Sequence, residues 1–175
     1  MREKWIVETK KGDFNGLSAK LKVSPLAVRC LMNRGVESEQ GMREFLYGTL
    51  DDLHDPFLMK GMDEAVREIV KAKEQGRKVA IASDFDCDGI FSAYILWKGF
   101  QRIGLDSEIF TPDRVKEGYG LNRRIVDEAL AGGRDFLVTC DNGIAANEEV
   151  DYAKKLGMTV IVTDHHEVPY EETDG

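Results

Sequence analysis

The stretch KVAIASDFDCDGIFS, residues 78–92, sets three carboxylates at alternate positions directly after a run of apolar residues. The apolar run is typical of a buried strand, and the amphipathic segment that follows the carboxylates is typical of a helix. We therefore expect a strand-to-helix turn that carries Asp84, Asp86 and Asp88. Closely packed carboxylates repel one another unless a cation or a proton separates them. The stretch therefore indicates a divalent metal site.

Two other interpretations of the acidic turn compete with this one. Its spacing matches the first, third, fifth and sixth positions of an EF-hand calcium loop, but Ile95 stands at the twelfth position, where a bidentate Glu is required. A strand also precedes the turn, where an EF-hand has a helix. The other alternative is a solvated acidic turn without a ligand, and the rest of the chain makes it less favoured.

The composition is that of a globular protein with 42% hydrophobic and 32% charged residues. The net charge of −8 excludes a broad basic footprint for nucleic acid, so any such contact must use a local patch or a metal. The three cysteines are widely spaced and predict neither a disulfide framework nor a CxxC metal site. No signal peptide or membrane-spanning run is evident, which predicts a cytoplasmic protein without membrane contact.

The chain divides into two predicted parts. Residues 1–57 form a mainly helical N-terminal extension, with a short strand near residues 5–7 and helices at 24–34 and 38–47. Residues 58–175 form the larger domain, which opens with a helix at 61–75. It then alternates strands at 78–83, 107–111, 135–140 and 158–163 with helices at 89–103, 122–131 and 146–156. This alternation predicts a doubly wound α/β fold with a mainly parallel sheet.

Polar residues follow three of the predicted strands. The first ends in the acidic turn, the third in Asp141 and the fourth in the run Asp164, His165, His166. Ligands of such sheets bind beyond the carboxyl ends of the strands, so these side chains should converge. Aspartates with a histidine suit Mn2+ or Mg2+, and several bridging carboxylates suggest two ions. Hydrolysis of a phosphate ester is the expected chemistry.

The loop after the second strand carries Arg114, Lys116 and Tyr119 among glycines that permit close backbone approach. The two basic side chains are candidates for gripping a phosphate, and the tyrosine for stacking on a base. A solvated loop without a ligand is the alternative.

These segments together resemble the DHH phosphoesterase superfamily, and within it the RecJ-type exonucleases specific for single-stranded DNA. Residues 83–90 resemble the first motif of the family, residues 141–144 the second and residues 160–167 the third, and the likeness covers nearly the whole chain. The resemblance implies that Asp86, Asp88, Asp141 and His165 are metal ligands. Asp84, Asp164 and His166 would be the catalytic group: Asp84 is an auxiliary acid, Asp164 orients the histidines, and His166 faces the scissile phosphate.

The same resemblance implies metal-dependent removal of nucleotides from the 5′ end of single-stranded DNA, in recombination and repair. A single-strand-binding protein or a helicase are the implied protein partners. Relatives of this type continue beyond the third motif with a further metal-binding aspartate and a strand-binding domain. We therefore expect this chain to be the N-terminal catalytic part of a longer enzyme, with little or no activity alone.

Two alternatives stay open at this stage, and a third is disfavoured. The first is a DHH phosphodiesterase acting on nanoRNA, cyclic dinucleotides or pyrophosphate. The second is a module without catalytic activity that binds DNA or replication proteins. The third, a haloacid-dehalogenase-like phosphatase with an aspartyl nucleophile, does not account for the pair of histidines.

Overall fold

The computed structural model describes residues 10–168, and the chain divides into two compact units between Leu58 and Met59. The strand predicted near residues 5–7 lies outside the described residues. The first unit is helical. Its helices are α1 (Phe14–Leu21), α2 (Pro25–Asn33) and α3 (Glu39–Tyr47), followed by short 3₁₀ turns at Leu50–Asp52 and Pro56–Leu58.

Each helix of the first unit begins at a residue whose side chain accepts a hydrogen bond from the backbone. Asp13 caps α1, Ser24 caps α2 and Ser38 caps α3, which satisfies N–H groups that a helix start leaves unpaired. The starts of α2 and α3 agree with the predictions. The sequence does not predict α1 as a separate helix, because this segment contains Gly16 and shows a weak apolar pattern, although Asp13 is a usable start signal.

The second unit alternates helices and strands as the sequence predicts. Its elements are α4 (Met62–Glu74), β1 (Val79–Ser83), α5 (Cys87–Arg102), β2 (Ser107–Phe110), α6 (Arg123–Ala131), β3 (Phe136–Cys140), α7 (Asn147–Lys155) and β4 (Thr159–Thr163). Within residues 10–168, no helix has the length and apolar character needed to cross a membrane.

The four strands form one parallel sheet in the order β2-β1-β3-β4. The central pair runs in register from Val79 opposite Phe136 to Ser83 opposite Cys140. From β1 the chain passes to β2 on one side, and then to β3 and β4 on the other side of β1. The switch point therefore lies between β1 and β3, where ligands of such folds bind.

Both faces of the sheet are covered by helices, which confirms the doubly wound fold. Val79 and Ile81 of β1 belong to an apolar cluster with residues of α4 and α5. The alternate residues Ala80 and Ala82 belong to a second cluster with residues of α6 and α7. Every residue of β1 and β3 is buried, as expected for the central strands of a parallel sheet covered on both faces.

Helix α5 begins two residues earlier than the sequence predicts. Asp86 is its N-cap, and its Oδ1 accepts a hydrogen bond of 3.1 Å from the N–H of Gly89. Asp88 consequently lies in the first turn of α5 and not in the connecting turn. The cap explains the difference, because an Asx side chain can start a helix ahead of the apolar periodicity.

Candidate metal centre

The carboxyl ends of three strands supply the polar side chains of the site. Asp84 and Asp86 follow β1, Asp141 follows β3, and the segment from Asp164 to His166 follows β4. Strands β1 and β3 flank the switch point of the sheet. The convergence predicted from the sequence is therefore present.

Two groups of potential ligand atoms meet at Asp141. One combines Asp84, Asp86 and Asp141, and the other combines Asp141, His165 and His166. Within each group the ligand atoms all lie within 4.8 Å of one another. Ligand atoms about 2.0–2.6 Å from a hard divalent cation lie within about 5 Å of each other, so both groups are compact enough to hold an ion. Carboxylates with imidazole fit Mn2+ or Mg2+.

Asp141 is held in an unusual conformation at the junction of the two groups. Its φ of 62° is left-handed, which costs an L-residue about 1–2 kcal/mol. The side chain is nearly buried, and its Oδ1 lies 2.7 Å from Nε2 of His165. Burial raises the pKa of Asp141, the charge of Asp86 raises it further, and the bond to His165 lowers it. A cation at this position would relieve both the burial and the repulsion.

Asp84 is the most deeply buried carboxylate of the site, with 1% of its surface exposed. Within residues 10–168 its carboxylate receives a single hydrogen bond, a long one of 3.5 Å from the N–H of Gly120. A buried carboxylate with so few donors requires a compensating charge. This supports the fit of a cation to the group that Asp84 shares with Asp141.

Asp164 fixes the ring of His166. Its Oδ1 accepts hydrogen bonds from the backbone N–H of His166 at 3.1 Å and from Nδ1 at 2.7 Å, and its Oδ2 accepts one of 2.9 Å from Ile144 N–H. Burial alone would raise the pKa of Asp164, but these bonds outweigh it and lower the pKa. The side-chain hydrogen bond between Asp164 and His166 raises the pKa of His166. The geometry agrees with a role for Asp164 in orienting the histidine.

Tyr119 reaches into the site from the loop after β2. Its hydroxyl donates to the carbonyl oxygen of Asp141 at 3.1 Å and lies 3.3 Å from Nδ1 of His166. Burial and the neighbouring aspartates raise the pKa of Tyr119 to about 12, so the hydroxyl stays protonated. The ring is half exposed, and its stacking on a base stays a prediction.

The two basic candidates of that loop have different surroundings. The guanidinium of Arg114 lies 4.9 Å from the centre of the Phe85 ring. Phe85 stands between Asp84 and Asp86 in the sequence. Lys116 is 81% exposed and pairs with Asp113 at 3.5 Å. Only Arg114 of the two is therefore placed against the acidic turn.

Asp88 is exposed and belongs to neither group of ligand atoms found within residues 10–168. It lines a hollow of about 470 Å3 on the α5 side of the sheet, together with Asp141 and His165. Its assignment as a direct ligand stays a prediction. A second hollow, of about 550 Å3, opens on the α6 and α7 side beside His166 and Tyr119.

Asn142 is a further residue of the site, and the sequence alone predicts no role for it. It is 1% exposed, and its Nδ2 donates to the carbonyl oxygens of Ala82 at 3.2 Å and Cys140 at 2.9 Å. The side chain thus joins the ends of β1 and β3. An amide directly after a strand-end aspartate was the available signal, since a carboxamide offers two donors to backbone carbonyls.

Comparison with known proteins agrees with this geometry. The model of the DHH family, N-terminal domain, matches residues 78–175. The single-stranded-DNA-specific exonuclease RecJ of Bacillus subtilis is 37% identical over 165 residues, which is 94% of this chain and 21% of that protein. The same-named protein of Thermus thermophilus is 33% identical over 85% of this chain and 21% of its own length. The chain therefore spans about a fifth of the curated relatives it matches.

Solved structures show the same relationship. The crystal structure of RecJ from Thermus thermophilus in complex with Mn2+ superimposes with a TM-score of 0.64 at 29% identity, over 93% of this chain and 22% of that one. A crystal structure of exonuclease RecJ bound to manganese superimposes with a TM-score of 0.60 at 35% identity. The match covers 65% of this chain and 29% of that one. Since the family model covers more than half of its residues, the chain belongs to the DHH family.

Proposed function

We propose that the chain is the N-terminal catalytic portion of a RecJ-like metal-dependent exonuclease. This enzyme hydrolyses phosphodiester bonds of single-stranded DNA from the 5′ end, in DNA recombination and repair. The observation that carries the proposal is the position of Asp141, which is shared by two groups of ligand atoms at the switch point of a DHH-family sheet. The first unit is an N-terminal extension, and the second is the catalytic domain.

The side chains that would hold the metal are Asp86, Asp88, Asp141 and His165, as the resemblance implies. Asp84, expected as an auxiliary acid, is added to them as a further candidate because it shares a group of ligand atoms with Asp86 and Asp141. Mn2+ and Mg2+ are the ions that suit this set. Bound there, the metal supplies a water activated for attack and neutralises charge on a phosphodiester.

The residues beside this group position the substrate. His166, whose ring Asp164 holds and whose pKa is raised, can offer a proton or a charged hydrogen bond to a phosphate oxygen. Arg114 would bind a phosphate at the acidic turn, with Lys116 further out, and Tyr119 would present its ring to a base. The proposed macromolecular partners are single-stranded DNA and a single-strand-binding protein or a helicase.

The decisive experiment replaces Asp141 by Asn in the proposed longer protein. Nuclease activity with Mn2+ on a labelled single strand should fall by 100-fold or more, because both groups of ligand atoms lose their shared member. The matched control is Asp106→Asn, which removes a carboxylate just ahead of the amino end of β2, at the opposite edge of the sheet. Near-normal activity of the Asp141 variant would show that the proposed metal centre is wrong.

The substrate class needs a separate comparison. Long single strands should be degraded faster than dinucleotides, cyclic dinucleotides or pyrophosphate, and the reverse preference would assign the chain to a phosphodiesterase of short substrates. The 175-residue chain alone should show little or no activity on either class. Robust digestion by the isolated chain would refute the proposal that other parts of the enzyme are required.

A further inference from the structure

Two of the buried carboxylates of the site, those of Asp84 and Asp141, follow neighbouring strands of the sheet. Asp84 follows β1, Asp141 follows β3, and the last paired residues of these strands are Ser83 and Cys140. Beyond that pair the chains separate, since one leads into α5 and the other turns through the left-handed φ of Asp141. Sheet hydrogen bonding therefore does not fix the spacing of the two carboxylates.

Asn142 lies just beyond Asp141 and reaches back to the last residues of both strands. Its Nδ2 donates to Ala82, two residues before Asp84, and to Cys140, one residue before Asp141. The orientation of the amide is unambiguous, because the opposite one would place Oδ1 against two carbonyl oxygens. One nearly inaccessible side chain thus ties together the backbone that carries each carboxylate.

We propose that Asn142 is a positioning residue that sets the spacing between Asp84 and Asp141 and thereby the affinity of the site for Mn2+. The inference rests on the proposed metal centre and adds to it a residue that holds no ligand atom. An amide is required because it has two N–H donors on one nitrogen, whereas a carboxylate has none and a hydroxyl has one. Residues that orient metal ligands typically change metal affinity by 10- to 100-fold when replaced.

The test compares Asn142→Ala and Asn142→Ser with wild type in the proposed longer protein, using Mn2+ alone as the probe. Calorimetry should show at least a tenfold weaker affinity for the alanine variant and a smaller loss for serine, which keeps one donor. The matched control is Asn122→Ala. Asn122 caps α6 by accepting a hydrogen bond of 3.0 Å from Ile125 N–H, so its loss should lower stability and leave the Mn2+ affinity within twofold of wild type.

The outcomes separate this inference from the proposed function. If wild type and Asn122→Ala do not bind Mn2+, the proposed metal centre fails. If they bind and Asn142→Ala binds equally well, the metal centre stands and only the positioning role is lost. Urea unfolding without metal completes the test: absence of a cooperative transition in both Asn142 variants would overturn the inference, since the residue would then serve the fold as a whole.

Discussion

The backbone of Asp84 passes directly against Gly89. A Cβ atom at Gly89 would lie 2.6 Å from the carbonyl carbon of Asp84 and 2.9 Å from its Cα, closer than real contacts allow. The first turn of α5 can therefore approach the end of β1 only because residue 89 has no side chain. The acidic turn is a close-packed structure, and its carboxylates depend on this contact for their positions.

Gly89→Ala should displace the first turn of α5 and weaken both the fold and metal binding. Overpacking of this kind costs about 1–3 kcal/mol, and Asp86 would move with the helix start that it caps. Gly99→Ala is the matched control in the same helix, because an added Cβ there meets no atom within 4 Å. It should stabilise the protein by about 0.5–1 kcal/mol. Urea unfolding and Mn2+ titration measure both effects, and similar behaviour of the two variants would contradict the prediction.

The two groups of ligand atoms predict different losses for different carboxylates. Asp141→Asn should abolish Mn2+ binding, because this residue belongs to both groups. Asp84→Asn should weaken binding by about tenfold or more and leave residual binding, because the group of Asp141 with the two histidines stays intact. Calorimetry on the two variants and on Asp106→Asn distinguishes these cases. If Asp84→Asn and Asp141→Asn lost Mn2+ affinity equally, the two groups of ligand atoms would not bind metal separately.

Much of this site could be predicted from the sequence, because apolar runs followed by polar residues mark strand ends. Parallel strands bring their carboxyl ends to one edge, so Asp84, Asp141 and His165 could be expected together before their distances were known. The doubly wound order follows from the same alternation of strands and helices. These features depend on local patterns that a sequence displays directly.

Other features depend on contacts between distant segments. Nothing in the sequence indicates that Asn142 reaches the carbonyl of Ala82, 60 positions away, or that Asp141 adopts a left-handed φ. The inclusion of Asp88 in α5 depends on the cap made by Asp86, which moves the helix start ahead of its apolar pattern. Sequence periodicity therefore locates elements better than it locates their first residues.

Glu117 should make the loop after β2 sensitive to acid. Hydrogen bonds from Arg124, including one of 2.8 Å, and from the N–H of Asp113 at 2.7 Å lower the pKa of Glu117 from 4.5 to about 2. A lowered pKa in the folded state means that the stabilisation is complete above pH 4.5 and is lost as the pH falls towards 2. Glu117→Gln should therefore lower the urea midpoint at pH 7, and the difference from wild type should shrink from about pH 4.5 downward.

The control for this titration is Glu148→Gln. Glu148 is 85% exposed, and its ion pair with Arg123 spans 4.0 Å, so its removal should change the urea midpoint little at any pH. Urea curves at pH 7, 5, 4 and 3 provide the comparison. A difference for Glu117→Gln that is constant across this range would show that the ionised carboxylate does not stabilise the loop.

Arg114 and Lys116 lie two residues apart, yet their replacement should affect DNA binding unequally. Arg114 rests on the Phe85 ring beside the acidic turn, so a phosphate at the metal centre would meet a guanidinium already in position. Lys116 is largely solvated and would give up its pairing with Asp113 to bind.

Arg114→Ala should weaken binding of a 5′-phosphorylated single strand by about tenfold and Lys116→Ala by about twofold or less. Fluorescence anisotropy with Mn2+ and a strand whose phosphodiester bonds are replaced by hydrolysis-resistant phosphorothioates measures both in the proposed longer protein. If Lys116→Ala lost as much DNA affinity as Arg114→Ala, the loop would attract DNA by its positive charge in general and not through a specific contact between Arg114 and a phosphate.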